Sequence, residues 1–306
     1  MKAIEGREMI GWSRVYKDKR LSRAILGLDP ESLNALEKSF TEAYLAALNY
    51  PGRQRPPGGG RKGHLHDIRS KLIFILVYLK CYPTFDIQGL LFHLDRTRAC
   101  RWVHKLLPLL EKALGHACVL PARQIRSVEE FFQIFPGAQD IFIDTTERPR
   151  VKPKNPKHRR KTYSGKKKQT TRKLLVVTDE SKRIGFLAPS KNGRRHDKRL
   201  LDKTGIIRHI PKDISIWVDT GFQGLKQQHS NTQMPMKSSK NKPLSPQQKE
   251  NNKVISGIRV VVEHAIGGIK RLACMSGIYR NRKAYTDDLF AVVSAGIWNL
   301  HLRSSA

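Results

Sequence analysis

Three acidic residues stand where a carboxylate needs a reason. Asp144 follows the apolar residues Ile141, Phe142 and Ile143 in the stretch 140–147 (DIFIDTTE), Asp219 ends a second strand-like run at 215–218 (SIWV), and Glu263 lies inside a predicted long helix. A charge at the end of a buried run is costly unless a basic partner or a metal ion answers it. Brought together, the three would offer hard oxygen ligands to one or two magnesium ions. Two such ions, about 4 Å apart, activate an attacking oxygen and stabilise a leaving oxygen during in-line phosphoryl transfer. Spacing alone leaves a second reading open. The chain has 26 acids and 58 Lys and Arg, so many trios can be drawn and each acid could sit in a salt bridge. Glu147, three residues past Asp144, would point to the opposite face of a strand and is set aside.

The elements that must position these acids belong to a chain of 306 residues, long enough for two domains. The net charge is +32, which implies a polyanionic partner, most simply double-stranded DNA. A membrane surface is the competing polyanion. The longest apolar run, 72–79, stops at Lys80 and is too short to span a bilayer. The N-terminus has no apolar signal core. Cys81, Cys100, Cys118 and Cys274 show no CxxC spacing, so reduced cysteines in a cytoplasmic, nucleoid-associated protein are expected.

Residues 1 to 28 give no readable fold. Asp29 and Pro30 signal a helix start, and Leu33, Leu36, Phe40, Tyr44 and Ala47 give that helix, 30–48, an apolar face. The glycine- and proline-rich stretch 50–63 reads as a basic linker. A helix over 66–80 follows, then a short one capped by Thr84, then a longer one capped by Asp95 with Gly115 just past its end. Pro108 should kink or shorten the last helix. This is the helix-turn-helix plan, with Arg96, Thr97, Arg98 and Arg101 at the reading end, suited to phosphates or guanine. A plain three-helix bundle with solvated arginines is the alternative; the net charge favours DNA.

Beyond residue 138 the pattern turns strand-like. The stretch 148–173 is dense in Lys and Arg with no acid, and Pro149, Pro153 and Pro156 should keep its first half out of regular structure. Lys166, Lys167, Lys168 and Lys173 are its candidate contacts to a DNA backbone, chiefly non-specific. Runs at 174–178 and 183–190 read as antiparallel neighbours, 196–203 as a helix with a capped start at His196 and Asp197, 215–218 as a strand and 234–236 as a fifth. Ser245, Pro246 and Gln248 open a helix running to about 272, and a last helix starts at Thr286.

The order of strands and acidic helix fits a ribonuclease-H-like plan. The motifs IDTTERP (143–149), YSGKKKQTTRK (163–173), GRRHD (193–197), DTGFQG (219–224) and RVVVEHAIGGIKR (259–271) resemble those of bacterial insertion-sequence DDE transposases, the branch related to Harbinger transposases. The resemblance implies an α/β ribonuclease-H-like catalytic domain, a mixed five-stranded sheet with flanking helices, preceded by an all-α helix-turn-helix domain. The implied boundaries are 1–60 for a basic arm, amphipathic helix and linker, 61–125 for the helix-turn-helix domain and 138–306 for the catalytic domain. It makes Asp144, Asp219 and Glu263 the catalytic metal ligands, for Mg2+ with Mn2+ as substitute and two ions per site. Arg259, Glu263 and Lys270 match the family's R(3)E(6)K pattern, with Arg259 and Lys270 as phosphate clamps. Ser256, Thr145, Gln169 and Phe222 stand where the family often has tyrosine, glycine, histidine and tyrosine. The implied activity is binding of terminal inverted repeats, strand cleavage and strand transfer by a homodimer or higher assembly on DNA. A domesticated repressor and a plain endonuclease of the same fold are the alternatives.

Overall fold

The structure is a computed structural model that describes residues 11–49, 64–238 and 243–304. The linker stretch 50–63 lies outside the described residues. The chain divides into two compact units, one of Met1–Leu120, Arg271–Met275 and Val292–Ala306, the other of Pro121–Lys270 and Ser276–Ala291.

The first unit is helical. Two short helices, α1 (Trp12–Lys17) and α2 (Lys19–Ile25), occupy residues with no readable sequence pattern. Then come α3 (Pro30–Leu48), α4 (Ile68–Cys81), α5 (Phe85–Leu91) and α6 (Arg96–His116). Helices α3, α5 and α6 begin at the expected caps, the side chains of Asp29, Thr84 and Asp95 accepting the amides of Ser32, Ile87 and Arg98, and α4 starts two residues later than expected, where Asp67 accepts the Ser70 amide. Leu33, Leu36 and Phe40 of α3 are buried, as is the whole run 72–79 of α4. The α6 helix passes unbroken through Pro108. Pro108 itself is exposed, while Leu106, Leu107, Leu109 and Leu110 around it are buried, so packing of the apolar face holds the helix that proline weakens. Gly115 lies within the helix, and the left-handed residue after it is Cys118.

The second unit is α/β. Its elements in chain order are α7 (Val128–Ile134), β1 (Asp140–Pro149), α8 (Pro156–Thr162), β2 (Tyr163–Ser164), β3 (Gln169–Thr178), β4 (Ile184–Leu187), β5 (Lys191–Asn192), α9 (Asp197–Asp202), β6 (Ser215–Val218), α10 (Leu225–Gln228), β7 (Thr232–Gln233) and α11 (Pro246–Lys270). The chain ends through α12 (Ala273–Ser276) and α13 (Thr286–Arg303). The sheet runs β4–β3–β1–β6–β7, with two-residue β2 and β5 also paired to β3. Pairing is antiparallel from β4 to β1 and parallel from β1 to β7. This mixed five-strand order with flanking helices is the ribonuclease-H-like plan.

Strand alternation sorts β1 into two faces. Ile141 and Ile143 join Leu175, Val177, Ile216 and Val218 in a buried cluster with Phe131, Phe135, Phe186 and Phe222. Phe142, Asp144, Thr146 and Arg148 take the other face, where α11 packs across β1, β3 and β6. That helix opens on a reciprocal cap, the Ser245 hydroxyl accepting the Gln248 amide and the Gln248 side chain accepting the Ser245 amide.

Several expectations are corrected. The basic half of β3, Gln169–Lys173, is strand, and β1 extends through Pro149. Pro156 does not break structure but sits at the start of α8, behind the Asn155 cap. The fifth strand is 232–233 rather than 234–236. His196 precedes α9 without a side-chain cap bond.

Candidate active site

Sheet register alone brings the first two acids together. Ile143 pairs with Val218 in adjacent parallel strands, so Asp144 and Asp219 are the next residue on each. The Asp144 Oδ1 accepts the amide of Thr145 at 2.7 Å. Asp219 opens a single 3-10 turn, Thr220–Phe222, its Oδ1 accepting the Thr220 amide at 2.6 Å and the Thr220 hydroxyl at 3.2 Å. Each carboxylate is thus fixed by its following amide through one oxygen, which leaves Oδ2 for another partner.

The α11 helix supplies a cation but not a close third acid. The Arg259 guanidinium lies 3.5 Å from Asp144 Oδ2, and its buried Nε has no hydrogen-bond partner among the described residues. Glu263, one turn later, is exposed. Among the described residues no three His, Cys, Asp or Glu side chains gather closely enough to hold a metal ion. The structure therefore brings Asp144, Asp219 and Arg259 together and leaves Glu263 outside.

Charge at this point is poorly answered. Burial pushes Asp144 up to about 6, and the nearby Asp219 adds to it, against the Thr145 amide, Arg259 and Lys166. Two adjacent carboxylates, one held above its ordinary range, fit a hard divalent cation better than a single long contact to a guanidinium. Lys270, half-buried at the end of α11, is held below the ordinary lysine range by burial and then by Lys167, with Asp144 and Glu147 pulling the other way.

In the helical unit, Arg96, Thr97, Arg98 and Arg101 are all exposed on the first turns of α6. The Arg98 Nε lies 3.2 Å from Asp95 and the Arg96 Nε 3.9 Å from Asp86, loose surface pairs that a phosphate or base can replace. The turn between α5 and α6 is tight: a Cβ on Gly89 would stand 2.4 Å from the Leu94 carbonyl oxygen.

Residues 143–299 match the model of the DDE superfamily endonucleases, and residues 63–116 match the helix-turn-helix of the same superfamily. A probable transposase for insertion sequence element IS702 from Microchaete diplosiphon is 30% identical over 240 residues, 78% of this chain and 82% of the relative. The chain belongs to the insertion-sequence DDE transposase family. No solved structure matches it. Its helix-turn-helix makes this transposase a DNA-binding protein, and none of its described helices is long and apolar enough to cross a membrane.

The transposase carries its basic residues in two very different settings. Lys166, Lys167 and Lys168 form the exposed turn between β2 and β3, with Lys166 near enough to lower the Asp144 carboxyl. Lys173, read above as a phosphate contact, is corrected: it is buried, and its Nζ meets Asp197 at 2.8 Å, Glu147 at 3.2 Å and the Arg195 carbonyl at 2.8 Å. Glu147 does face away from Asp144, and it also accepts the Thr171 hydroxyl at 2.6 Å. Gly193 is required here, since a Cβ would lie 1.8 Å from Thr171 Oγ1. Asp197 starts α9, which packs against the 3-10 turn that follows Asp219. Sequence reading missed this network. Its signal was present: GRRHD carries the close-approach glycine and the acid, and Glu147 alternates away from Asp144.

Proposed function

We propose that this transposase binds the terminal inverted repeats of its element through α4 to α6 and carries out divalent-metal-dependent strand cleavage and strand transfer at Asp144 and Asp219. The observation that carries the reading is the placement of these two carboxylates side by side, each one residue past the last parallel pair of β1 and β6, with Asp144 held up to about 6. The residues that would hold Mg2+, or Mn2+ in its place, are Asp144 and Asp219 through their outer oxygens. Glu263 joins them by a side-chain swing or a small shift of α11, since it follows Arg259 by one turn. Two ions bound there would activate the attacking oxygen and stabilise the leaving one.

The chain's own residues do the rest. The Thr145 and Thr220 amides hold each carboxylate in a fixed orientation. Arg259 lies against Asp144, and with a cation on the carboxylate it would be free to meet a phosphate. Lys166 and Lys270 lie near Asp144 and, with Lys167 and Lys168 on the same turn as Lys166, bind the backbone beside the cut. Water serves as nucleophile in cleavage and a DNA 3′-hydroxyl in joining, at one site. Two ends cut and joined together need two such sites, hence a dimer or larger assembly on DNA.

The exposure of Glu263 favours a second reading, a DNA-binding repressor without cleavage. A linear DNA carrying the element ends, with Mg2+ and a target plasmid, separates the readings. Joined product supports the transposase, cut ends alone a plain endonuclease, and binding alone the repressor.

A further inference from the structure

Beyond the end of β1 the α/β unit forms a cleft of about 870 Å³ between Arg150–Lys154, Pro189–Lys191, the loop 279–285 and the start of α13 at Asp287 and Asp288. Its acids are already answered. Asp287 accepts Arg172 Nε at 2.5 Å and the Ser190 hydroxyl at 2.8 Å; Asp288 accepts Arg123 at 2.6 Å and the Ser190 amide at 2.8 Å. What remains is a surplus of cations. Arg150 is half-buried, and its Nε is buried with no hydrogen-bond partner among the described residues. Burial first, then the neighbouring Arg172, hold its guanidinium below the ordinary range, so an anion there would relieve a standing cost. Lys152, Lys154, Arg282 and Lys283 are exposed around it.

The rim carries an aromatic. Tyr285 is 85% exposed on a backbone with φ of +64°. That left-handed conformation is unfavourable for a bulky residue, and here it holds a ring out in water beside a cationic cleft. A cationic groove with an exposed aromatic face is the chemistry that takes single-stranded nucleic acid, phosphates on the cations and a base on the ring. The cleft has the volume of a small-ligand pocket, room for an unpaired nucleotide or two.

Location adds to this. Arg172 is paired in register with Arg148, which shares the sheet face of Asp144. Arg150 is six residues from Asp144, about 20 Å along an extended chain. At the rise of about 3.4 Å per nucleotide of stacked B-form DNA that is about six nucleotides of the duplex between the cut and the cleft.

We propose that this cleft binds an unpaired DNA strand about six nucleotides from the scissile phosphate, with phosphates on Arg150 and Lys152 and a base on Tyr285. The distance to the scissile phosphate rests on the function proposed above; the strand preference does not.

The test is fluorescence anisotropy of the full chain, without divalent metal, on a mixed-sequence duplex that is blunt or carries a tail of about six thymidines. Wild type is expected to bind the tailed duplex about fivefold or more tighter than the blunt one, the scale of one stacked base. Tyr285→Ala with Lys283→Ala should bring the two to within about twofold while blunt-duplex affinity holds, and Arg150→Gln should do the same. No tail preference in wild type, a preference that survives both variants, or equal weakening of blunt and tailed duplex would each overturn the proposal. Failure of the cleavage reading looks different: no cut or joined product from wild type in the Mg2+ assay, with the tail preference intact.

Discussion

Asp144 and Glu147 lie three residues apart on one strand and could hardly be treated more differently. Glu147, on the inner face, is satisfied by the Lys173 ammonium and the Thr171 hydroxyl, and Lys173 is shared with Asp197. Asp144, on the face beneath α11, has a neighbouring acid, one fixed amide and a guanidinium at 3.5 Å. The first arrangement is a closed ion network that locks β1, β3 and α9 behind the turn after Asp219. The second is an open one, in which a buried carboxylate beside a second acid is met by a single guanidinium at 3.5 Å. Sequence composition cannot tell the two apart, since each is an acid beside basic residues; the parity of the strand does.

Breaking each side should give opposite results. The largest effect is expected from Asp144→Asn, which removes a carboxylate oxygen from the reacting centre and should cut strand cleavage by about 10³-fold or more, with end binding retained in a gel-shift assay. Lys173→Met should leave cleavage chemistry formally intact but expose two buried acids to each other. Breaking a buried pair costs about 3–5 kcal/mol, read as a drop in urea midpoint, and adding Glu147→Gln should recover part of it. Asp144 also gives the site a pH response of its own. A carboxyl whose folded pKa is raised stabilises the fold below its unfolded value, and that stability is lost as pH rises through the folded value. For metal-free protein this window runs from about 3.8 to about 6 for Asp144. Asp144→Asn should flatten the window and raise stability at pH 7.5 by up to about 3 kcal/mol. The smallest expected effects belong to the DNA-contact residues. Arg98→Ala should weaken specific binding about tenfold and relax sequence preference, whereas Lys167→Ala should lower the salt slope by about one and leave preference unchanged.

Much of this was legible in the residues. The caps at Asp29, Thr84, Asp95 and Ser245 fix helix starts through local hydrogen bonds, which depend only on neighbours in sequence. Asp144 and Asp219 were visible because each ends an apolar run, and parallel pairing does the rest. The basic half of β3 was not legible, because Arg172 and Lys173 read as solvent-facing until their distant partners Asp287, Glu147 and Asp197 are known. Helix α6 runs through Pro108 for a similar reason: a buried leucine face on distant packing outweighs a local penalty. That Glu263 is exposed while Arg259, one turn earlier, is buried is not revealed by their spacing.

The acid pair, and not the network behind it, is the expected seat of a divalent cation. Titration of Mn2+ into the full chain with a bound duplex, followed by electron paramagnetic resonance, measures this directly. Bound Mn2+ should be seen with wild type and with Glu147→Gln, and should be lost with Asp144→Asn and with Asp219→Asn. Undiminished Mn2+ binding by both aspartate variants would contradict the account.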